Sequence, residues 1–594
     1  MKKLSACLFL LLACLALHAQ GQFVHQASAR WGTALNDNAT VCALAADGAM
    51  LLAGTFSNSI DLDPGPGEAL FTAATSSSDP SVDLFVVKLN ADGSYAWGFT
   101  IGNDRTELVG GAAFTGTGDV LLACSFSRAV DIDPGAGEVL SPSTGNHSAV
   151  LRLDGQTGTL QDHMILSSPV SQFVTSAHTV LGLEALSDGA FALHGSFGDN
   201  LDLDHGDGVA QVNTSGAFDA FVAKYDAAMD FEWGFGLGGT GNFTDQTTDI
   251  RFDADDALYV GGFFNAGTDF DPGPDQTVIP SASSGRDVCV AKYAADGTFN
   301  WVARMVSPSS SDGLFGLEVA DGEVLLMGSY ETSVDVDPGA GTEILSPITN
   351  NTGTYFAKLN AATGALENAA QFDQMIEPVG GASANSHRRS LARTDDGHFV
   401  FIGDLFFGTY DMQVGPGTTT LQPNSGVRDI VMARYAWDDF SLSGAVRIGA
   451  ASGSDDANVI AINSAGQMLI AGAFRSSVLN VSPQGPAVNL QNAGSSSSDA
   501  FCARYAWSNS TTGLNETNLQ QLGAFPNPFV DRITLNGAWG GMNRVRIFDA
   551  TGRVATEASG PLPLTLDLGL LPAGSYTAHV TSENGPAVFR LIKE

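Results

Sequence analysis

The string DLDPGPG at residues 61–67 returns as DIDPGAG at 131, DLDHGDG at 202, DFDPGPD at 269 and DVDPGAG at 335, then in decayed form as DMQVGPG at 411 and NVSPQGP at 480. The seven starts lie 70, 71, 67, 66, 76 and 69 residues apart. A chain written this way is one supersecondary unit used seven times, so its 594 residues cannot be divided by an average domain size. Two further markers keep the same phase. About ten residues before each anchor comes an apolar run such as AMLLAGTF at 49 or QMLIAGAF at 467. About twenty residues after it comes DLFVVKL at 83, DAFVAKY at 219 or DAFCARY at 499, with SAVLRL at 148 and TYFAKL at 354 as variants.

Each marker is a short β-branched or aromatic run bounded by Gly, Asp and Asn, and no stretch holds a helical period. Four strands per unit follow, at 40–46, 49–56, 83–89 and 94–101 in the first, with tight turns at AADGAM and NADGSY. Antiparallel four-stranded sheets repeated at a fixed period predict an all-β propeller; an open stack of sheets is the rival. Closure is favoured by a strand count. Trp-bearing fourth strands stand at 95, 231 and 299, the chain opens with ARWGTAL at 29 ahead of any first strand, and the seventh unit runs into WSNSTTGLNETN without a fourth. A strand around Trp31 that completes the last sheet leaves no open edge. The expectation is a seven-bladed propeller over about residues 23–508, closed by its N-terminal strand.

The order of a GTF-like strand, DxDPGxG, DxFVxKL and a Trp strand resembles the SBBP-type β-propeller repeat of secreted bacterial proteins. The resemblance covers nearly all of residues 29–508, with Gln413 replacing the second Asp in unit six and both Asp lost in unit seven. It implies the fold and no particular activity.

Residues 1–19 carry Lys2 and Lys3, an apolar stretch and Ala19 before Gln20, the form of a secretory signal peptide. LLAC ending at Cys14 is a competing lipobox, which Leu12 and the apolar run beyond it fit poorly. No other stretch approaches the 18 apolar residues of a membrane span. Outside the signal, Cys42, Cys124, Cys289 and Cys502 are far apart in apolar runs, which points to burial rather than zinc or redox chemistry.

After a polar linker at 509–522, residues 523–594 change character. FPNPF spans Phe525, Pro526, Asn527, Pro528 and Phe529. Alternating strands follow, then a strand and turn with Asp549 and Gly552, LPAGSY with Gly574 and Tyr576, and a terminal FRLIKE with Lys593. Alternation and turns predict a small β-sandwich. These landmarks, in this order, resemble the type A C-terminal sorting domain of the Bacteroidetes type IX secretion system. The resemblance implies delivery to the cell surface or medium, the secretion machinery and its sortase-like peptidase as partners, and removal of the module with attachment to surface lipopolysaccharide or release.

Acidic residues number 64 against 27 Lys and Arg, a formal charge of −37. Nucleic acid and anionic membranes are excluded as partners by repulsion. The signal carries +2 and residues 525–594 carry zero, so residues 23–524 hold −39. Motifs for metalloprotease, serine hydrolase, phosphate-cradling or dinucleotide chemistry are absent, and no enzyme activity is expected. The recurring polar constellation is the acidic pair: Asp61 and Asp63, Asp131 and Asp133, Asp202 and Asp204, Asp269 and Asp271, Asp335 and Asp337. Residues two apart in a strand face one side, so each pair is a candidate Ca²⁺ ligand set completed by turn carbonyls. The simpler reading is a turn in which Pro presets φ and Gly admits positive φ. The hairpins that carry the pairs are expected to ring one face and to take cations or neutral glycans. The rival to a binding or structural module is a polysaccharide-active hydrolase or lyase using carboxylates near the axis, with Glu107 and Glu184 as acids that escape the repeat. A passive spacer is the third reading.

Overall fold

In a computed structural model, the described residues are 21–509 and 522–593, apart from 34, 75–81, 104, 143–144, 168–177, 217, 240–243, 266, 281–285, 310–311, 348–351, 373, 377–388, 425, 495–496, 526, 538–542, 550–552 and 583–584. Residues 1–20, where the signal peptide is expected, and 510–521, nearly all of the expected linker, lie outside them. Among the described residues there is no helix, and hence none long and apolar enough to cross a membrane. Two compact units form, Gln22–Ser508 and a second containing Asn509–Glu594.

Gln22–Ser508 contains seven antiparallel four-stranded sheets among its described residues. The first takes its strands in order from Asn38–Leu44, Met50–Phe56, Asp83–Leu89 and Tyr95–Ile101. Five more follow the same scheme, beginning at Leu108, His178, Gln246, Gly313 and Leu391. The seventh pairs Asp455–Ile462, Gln467–Phe474 and Asp499–Ser508 in that order, and its fourth strand is Gln22–Trp31, with Trp31 opposite Ala500. The tight turns rely on glycine where the backbone turns left-handed, as at Gly48 with φ of 89°.

Each sheet buries side chains against the next. Val41 and Trp97 of the first pack with Leu122 and Leu151 of the second, and comparable clusters join every later pair. Cys42, Leu52 and Phe85 of the first sheet share a cluster with Leu469, Ala471 and Cys502 of the seventh. The first strand of each sheet touches the first strand of the next, and the seventh's touches the first's. These seven strands are therefore the innermost.

The basic residue of DxFVxKL also works between sheets. Lys88 Nζ donates to the Gly155 carbonyl, Lys292 Nζ to Ala361 O at 3.2 Å, and Lys358 Nζ to Asp438 O at 3.0 Å, each in the third-to-fourth-strand turn of the following sheet. Arg504 of the seventh sheet reaches two turns of the first, donating to Gly48 O between its first and second strands and, at 2.6 Å, to Ala91 O between its third and fourth. The Trp of the fourth strand reaches the same turns: Trp97 Nε1 to Gly155 O at 3.2 Å, Trp233 Nε1 to Ala295 O at 2.9 Å, Trp301 Nε1 to Ala361 O at 3.2 Å. A Cβ at Gly297 would meet the Trp233 ring at 2.8 Å, so the turn must carry glycine for the indole to seat.

In the second unit, a three-stranded sheet (Leu522–Phe525, Arg532–Gly537, Leu564–Asp567) and a four-stranded sheet (Val554–Gly560, Asn543–Phe548, Gly574–Ser582, Gly585–Lys593) enclose Phe529, Ile533, Val545, Ile547, Tyr576 and Leu591. The two ends of the module meet. Phe529 N–H donates to Ile592 O and Asn527 Oδ1 accepts from Ile592 N–H, both at 2.8 Å. Lys593 Nζ donates to Val530 O and lies 5.4 Å over the Phe529 ring. Tyr576 Oη donates to Pro572 O at 2.7 Å, and Asp549 Oδ1 accepts from Arg553 N–H at 3.1 Å. Pro526 and Gly552 lie outside the described residues, Phe525 is placed only as strand backbone, and Gly574 opens the strand containing Tyr576.

Candidate functional site

The acidic repeat forms a ribbon between the second and third strands of each sheet, two-stranded in five of them and held by a single bridge, Asp131 to Leu140 and Asp269 to Val278, in the second and fourth. Asp61 Oδ1 accepts the N–H groups of Asp63 at 3.1 Å and Ala69 at 2.8 Å, while Asp63 Oδ1 accepts Gly65 N–H at 2.8 Å. The same three bonds recur from Asp131 and Asp133, Asp202 and Asp204, Asp269 and Asp271, and Asp335 and Asp337. Asp411 keeps the first two, and Asn480 keeps them with an amide oxygen. Between the two acids, Leu62, Ile132, Leu203, Phe270, Val336, Met412 and Val481 are buried. The ribbon thus presses one apolar residue into the sheet and folds back through its carboxylates.

These ribbons also lie against the preceding sheet. Trp31 Nε1 donates to Leu62 O at 3.1 Å, and Val306, just past the fourth sheet's last strand, bridges to Asp335 of the fifth. In every acidic pair one oxygen of each carboxylate faces backbone N–H, the arrangement the turn reading expects, and a Ca²⁺ ion would need six to eight oxygens gathered from beyond the pair. Among the described residues no three His, Cys, Asp or Glu come together in a way that could hold a metal.

Glu107 is not unique to its unit. It is buried immediately before the innermost strand of the second sheet, where the first, fourth and fifth sheets have Asp37, Asp245 and Asp312. Asp37 shows what this position does: its carboxylate accepts Thr33 N–H at 3.0 Å and Ser57 N–H at 3.1 Å, joining the incoming loop to the exit of the second strand. Burial pushes Asp37 up to about 7 and Asp312 to about 6.

Glu184 is different. It pairs with Ala192 of the adjacent strand, and the matching pairs elsewhere are Ala43 with Leu51, Ala113 with Leu121, Arg251 with Tyr259, Glu318 with Leu325, Ala392 with Val400 and Ala461 with Leu469. In six of the seven sheets this position lies two residues beyond a bulge that shifts the register, which fixes the equivalence independently. Four innermost strands therefore carry Ala where three consecutive ones carry Glu184, Arg251 and Glu318.

These three converge. Arg251 Nε donates to Glu318 Oε1 at 3.3 Å, and its Nη1 stands 3.7 Å from Glu184 Oε2. Arg251 also binds Asp249, whose Oδ2 accepts Leu317 N–H at 3.2 Å. Arg389, ahead of the sixth sheet, joins both glutamates, Nη2 to Glu318 Oε1 at 3.1 Å and Nη1 to Glu184 Oε2 at 3.9 Å. The Arg251 side chain is only 4% exposed, whereas Glu184 and Arg389 are 24% and 27% exposed. Burial pushes Asp249 up to about 6, opposed by Arg251 and Arg389. Burial disfavours the Arg251 charge, but Asp249, Glu318 and Glu184 outweigh it and hold the guanidinium above its ordinary range. Burial, with the Arg251 charge adding to it, drives His194, whose Nδ1 is 2.9 Å from Thr247 Oγ1, down to about 3. Reading the sequence for what repeats finds the ribbons and passes over Asp249, Arg251, Glu318 and Arg389; the signal that finds them is the break from Ala at one register position.

Residues 523–594 match the family described as "Secretion system C-terminal sorting domain". This type IX sorting tail marks the chain for export to the cell surface or secretion. Regulatory protein FlaEY of Caulobacter vibrioides is 28% identical over 184 residues, 30% of this chain and 18% of that protein, so the chain covers well under two thirds of that relative's length. Among solved structures, an extracellular domain assigned to a one-component system of B. thetaiotaomicron is 7% identical over 97% of this chain and 98% of its own, at a TM-score of 0.19. Phage phi92 endosialidase is 11% identical over 65% and 64%, at 0.28. At such scores these two likenesses carry no argument about this chain.

Proposed function

We propose that the chain is an exported seven-bladed β-propeller of SBBP-type repeats that acts outside the cell as a binding or structural module. It is released across the inner membrane by the segment 1–19 and carried onward by the type IX machinery reading residues 523–594. The sortase-like peptidase and surface lipopolysaccharide are its proposed later partners. Support for the ring comes from the cyclic packing of the seven sheets and from Gln22–Trp31 standing as the fourth strand of the last. The observation that carries the binding reading is the single charged interruption, Glu184, Arg251 and Glu318, at a position that is otherwise Ala. Near-identical repeats build a scaffold, and one asymmetric place in it is where a specific ligand is distinguished.

Glycoside cleavage is not favoured. It needs two carboxyl groups flanking open space about 5–10 Å apart, and here both glutamates are engaged by the same two guanidiniums. The test pairs export with chemistry. Deleting residues 523–594 should leave the chain behind the outer membrane while the intact chain reaches the surface or medium. The exported chain should release no oligosaccharide from a polysaccharide panel. Export of the truncated chain would overturn the delivery route, and product release would replace the binding reading with the hydrolase or lyase.

A further inference from the structure

Among the described residues, two guanidinium N–H groups in the axial cluster have no partner. Arg251 Nη2 and Arg389 Nε are both buried atoms without a hydrogen bond, although the other nitrogens of the same side chains hold Glu184, Glu318 and Asp249. The hydroxyl of Ser390, next to Arg389, is likewise buried and unpartnered. A buried donor left unmade is costly and is ordinarily satisfied by an ordered water, an ion or a ligand; other arginines of the repeat also keep such nitrogens, but here two of them stand together with Ser390 in one charged cluster. Their setting defines what that something is. Three carboxylates against two guanidiniums give the cluster a net charge of −1, inside a unit of charge −38, so an anionic ligand is repelled. Guanidinium N–H donors beside carboxylate acceptors match adjacent hydroxyl groups, each of which both accepts and donates.

We infer that the cluster of Glu184, Arg251, Glu318 and Arg389 is a ligand site for a neutral saccharide, held through adjacent hydroxyls by the free N–H groups of the two arginines and the partly exposed carboxylate of Glu184. The inference rests on the propeller reading above, since it places these residues around one axis. Arg251 is the anchor and is too deeply built in to be replaced safely; Arg389 and Glu184 are its partly exposed partners.

The experiment uses the full exported chain on an array of neutral and acidic oligosaccharides, with titration of the strongest neutral hit by calorimetry. Glu184→Gln keeps side-chain volume, Arg389→Gln removes the guanidinium but keeps a polar amide, and each should weaken that hit tenfold or more. Arg389→Lys should restore part of it, and the thermal midpoint should stay within a few degrees. Asp63→Asn in a ribbon serves as the control and should leave binding unchanged. Retention of no neutral oligosaccharide at millimolar concentration overturns the site, as does retention of acidic ones alone or a hit indifferent to both cluster substitutions. Export and surface display are scored on the same variants. A cluster that binds nothing leaves the delivery reading standing, whereas loss of export with binding intact refutes delivery alone.

Discussion

Replacing Asp61 by Ala and by Asn separates a structural carboxylate from an ion ligand. In the first ribbon, Asp61 Oδ1 holds the amides of Asp63 and Ala69 at 3.1 and 2.8 Å. Ala leaves two partly buried N–H groups without an acceptor, a loss of about 1–3 kcal/mol from the ribbon. The ribbon is short and opens locally, so the loss appears as about 10–100-fold faster hydrogen exchange at residues 63 and 69. Asn should behave otherwise. In the seventh ribbon Asn480 Oδ1 already accepts Ser482 N–H at 3.0 Å and Val488 N–H at 3.1 Å, so an amide oxygen meets the geometry. A neutral acceptor forms bonds roughly half as strong as an ionised one, which leaves about 1 kcal/mol or less and an exchange change of about fivefold or less. Hydrogen exchange by mass spectrometry on a peptide covering 58–73 reads all three proteins, with Ca²⁺ and with chelator. Exchange in Asp61→Asn as fast as in Asp61→Ala would show that charge, not hydrogen-bond geometry, holds the ribbon. Slower exchange of the unaltered chain in millimolar Ca²⁺ would restore the metal reading, since a ligand of the native state must stabilise it.

Stability should also rise as pH falls from about 8 to about 6. Burial raises Asp37 to about 7 and Asp83, Asp219, Asp249, Asp312 and Asp455 to about 6. The folded chain therefore holds protons that the unfolded chain has released, and the stability they give is lost as pH rises through 6 to 7. His178 and His194, lowered by burial to about 4 and 3, oppose this only below their ordinary 6.5. Thermal midpoints across pH 5–8 check the slope, which Asp37→Asn should flatten near pH 7; a midpoint rising from pH 6 to 8 refutes it. Arg504→Met, which keeps bulk but removes the donors to Gly48 O and Ala91 O, should cost about 2–3 kcal/mol and speed exchange across Gln22–Trp31. Unchanged exchange there would mean that the seventh and first sheets are not joined as the others are.

The period, the four strands of each unit and the place of Trp31 were legible because each rests on local signals: alternation, turn glycines and a strand count that failed to balance. The Lys of DxFVxKL was visible as a repeat but not as a device, since its acceptor lies in the next sheet, about one repeat length away in sequence, as from Lys88 to Gly155. Lys593 and Phe529 were likewise separate landmarks whose meeting only the folded module reveals. The cluster of Glu184, Arg251 and Glu318 was least legible. Its register depends on a bulge, between Thr247 and Asp249 in the fourth sheet, that no composition announces, and without it Glu184, Arg251 and Glu318 do not align.

That difference bears on what the charge of −39 means. Many of the repeated acids are internal fasteners. The first Asp of each ribbon closes its own loop, Asp83 caps the approach to a third strand through Ala74 N–H at 2.7 Å, and Asp37 ties the entry of an innermost strand. Several of these hold protons near pH 6, so the field outside the molecule is weaker than the formal count and more dependent on pH. A partner chosen by charge alone would respond to all seven units with little distinction. A partner chosen by hydrogen bonding must go where the units differ, and at the innermost register the chain differs at three consecutive positions.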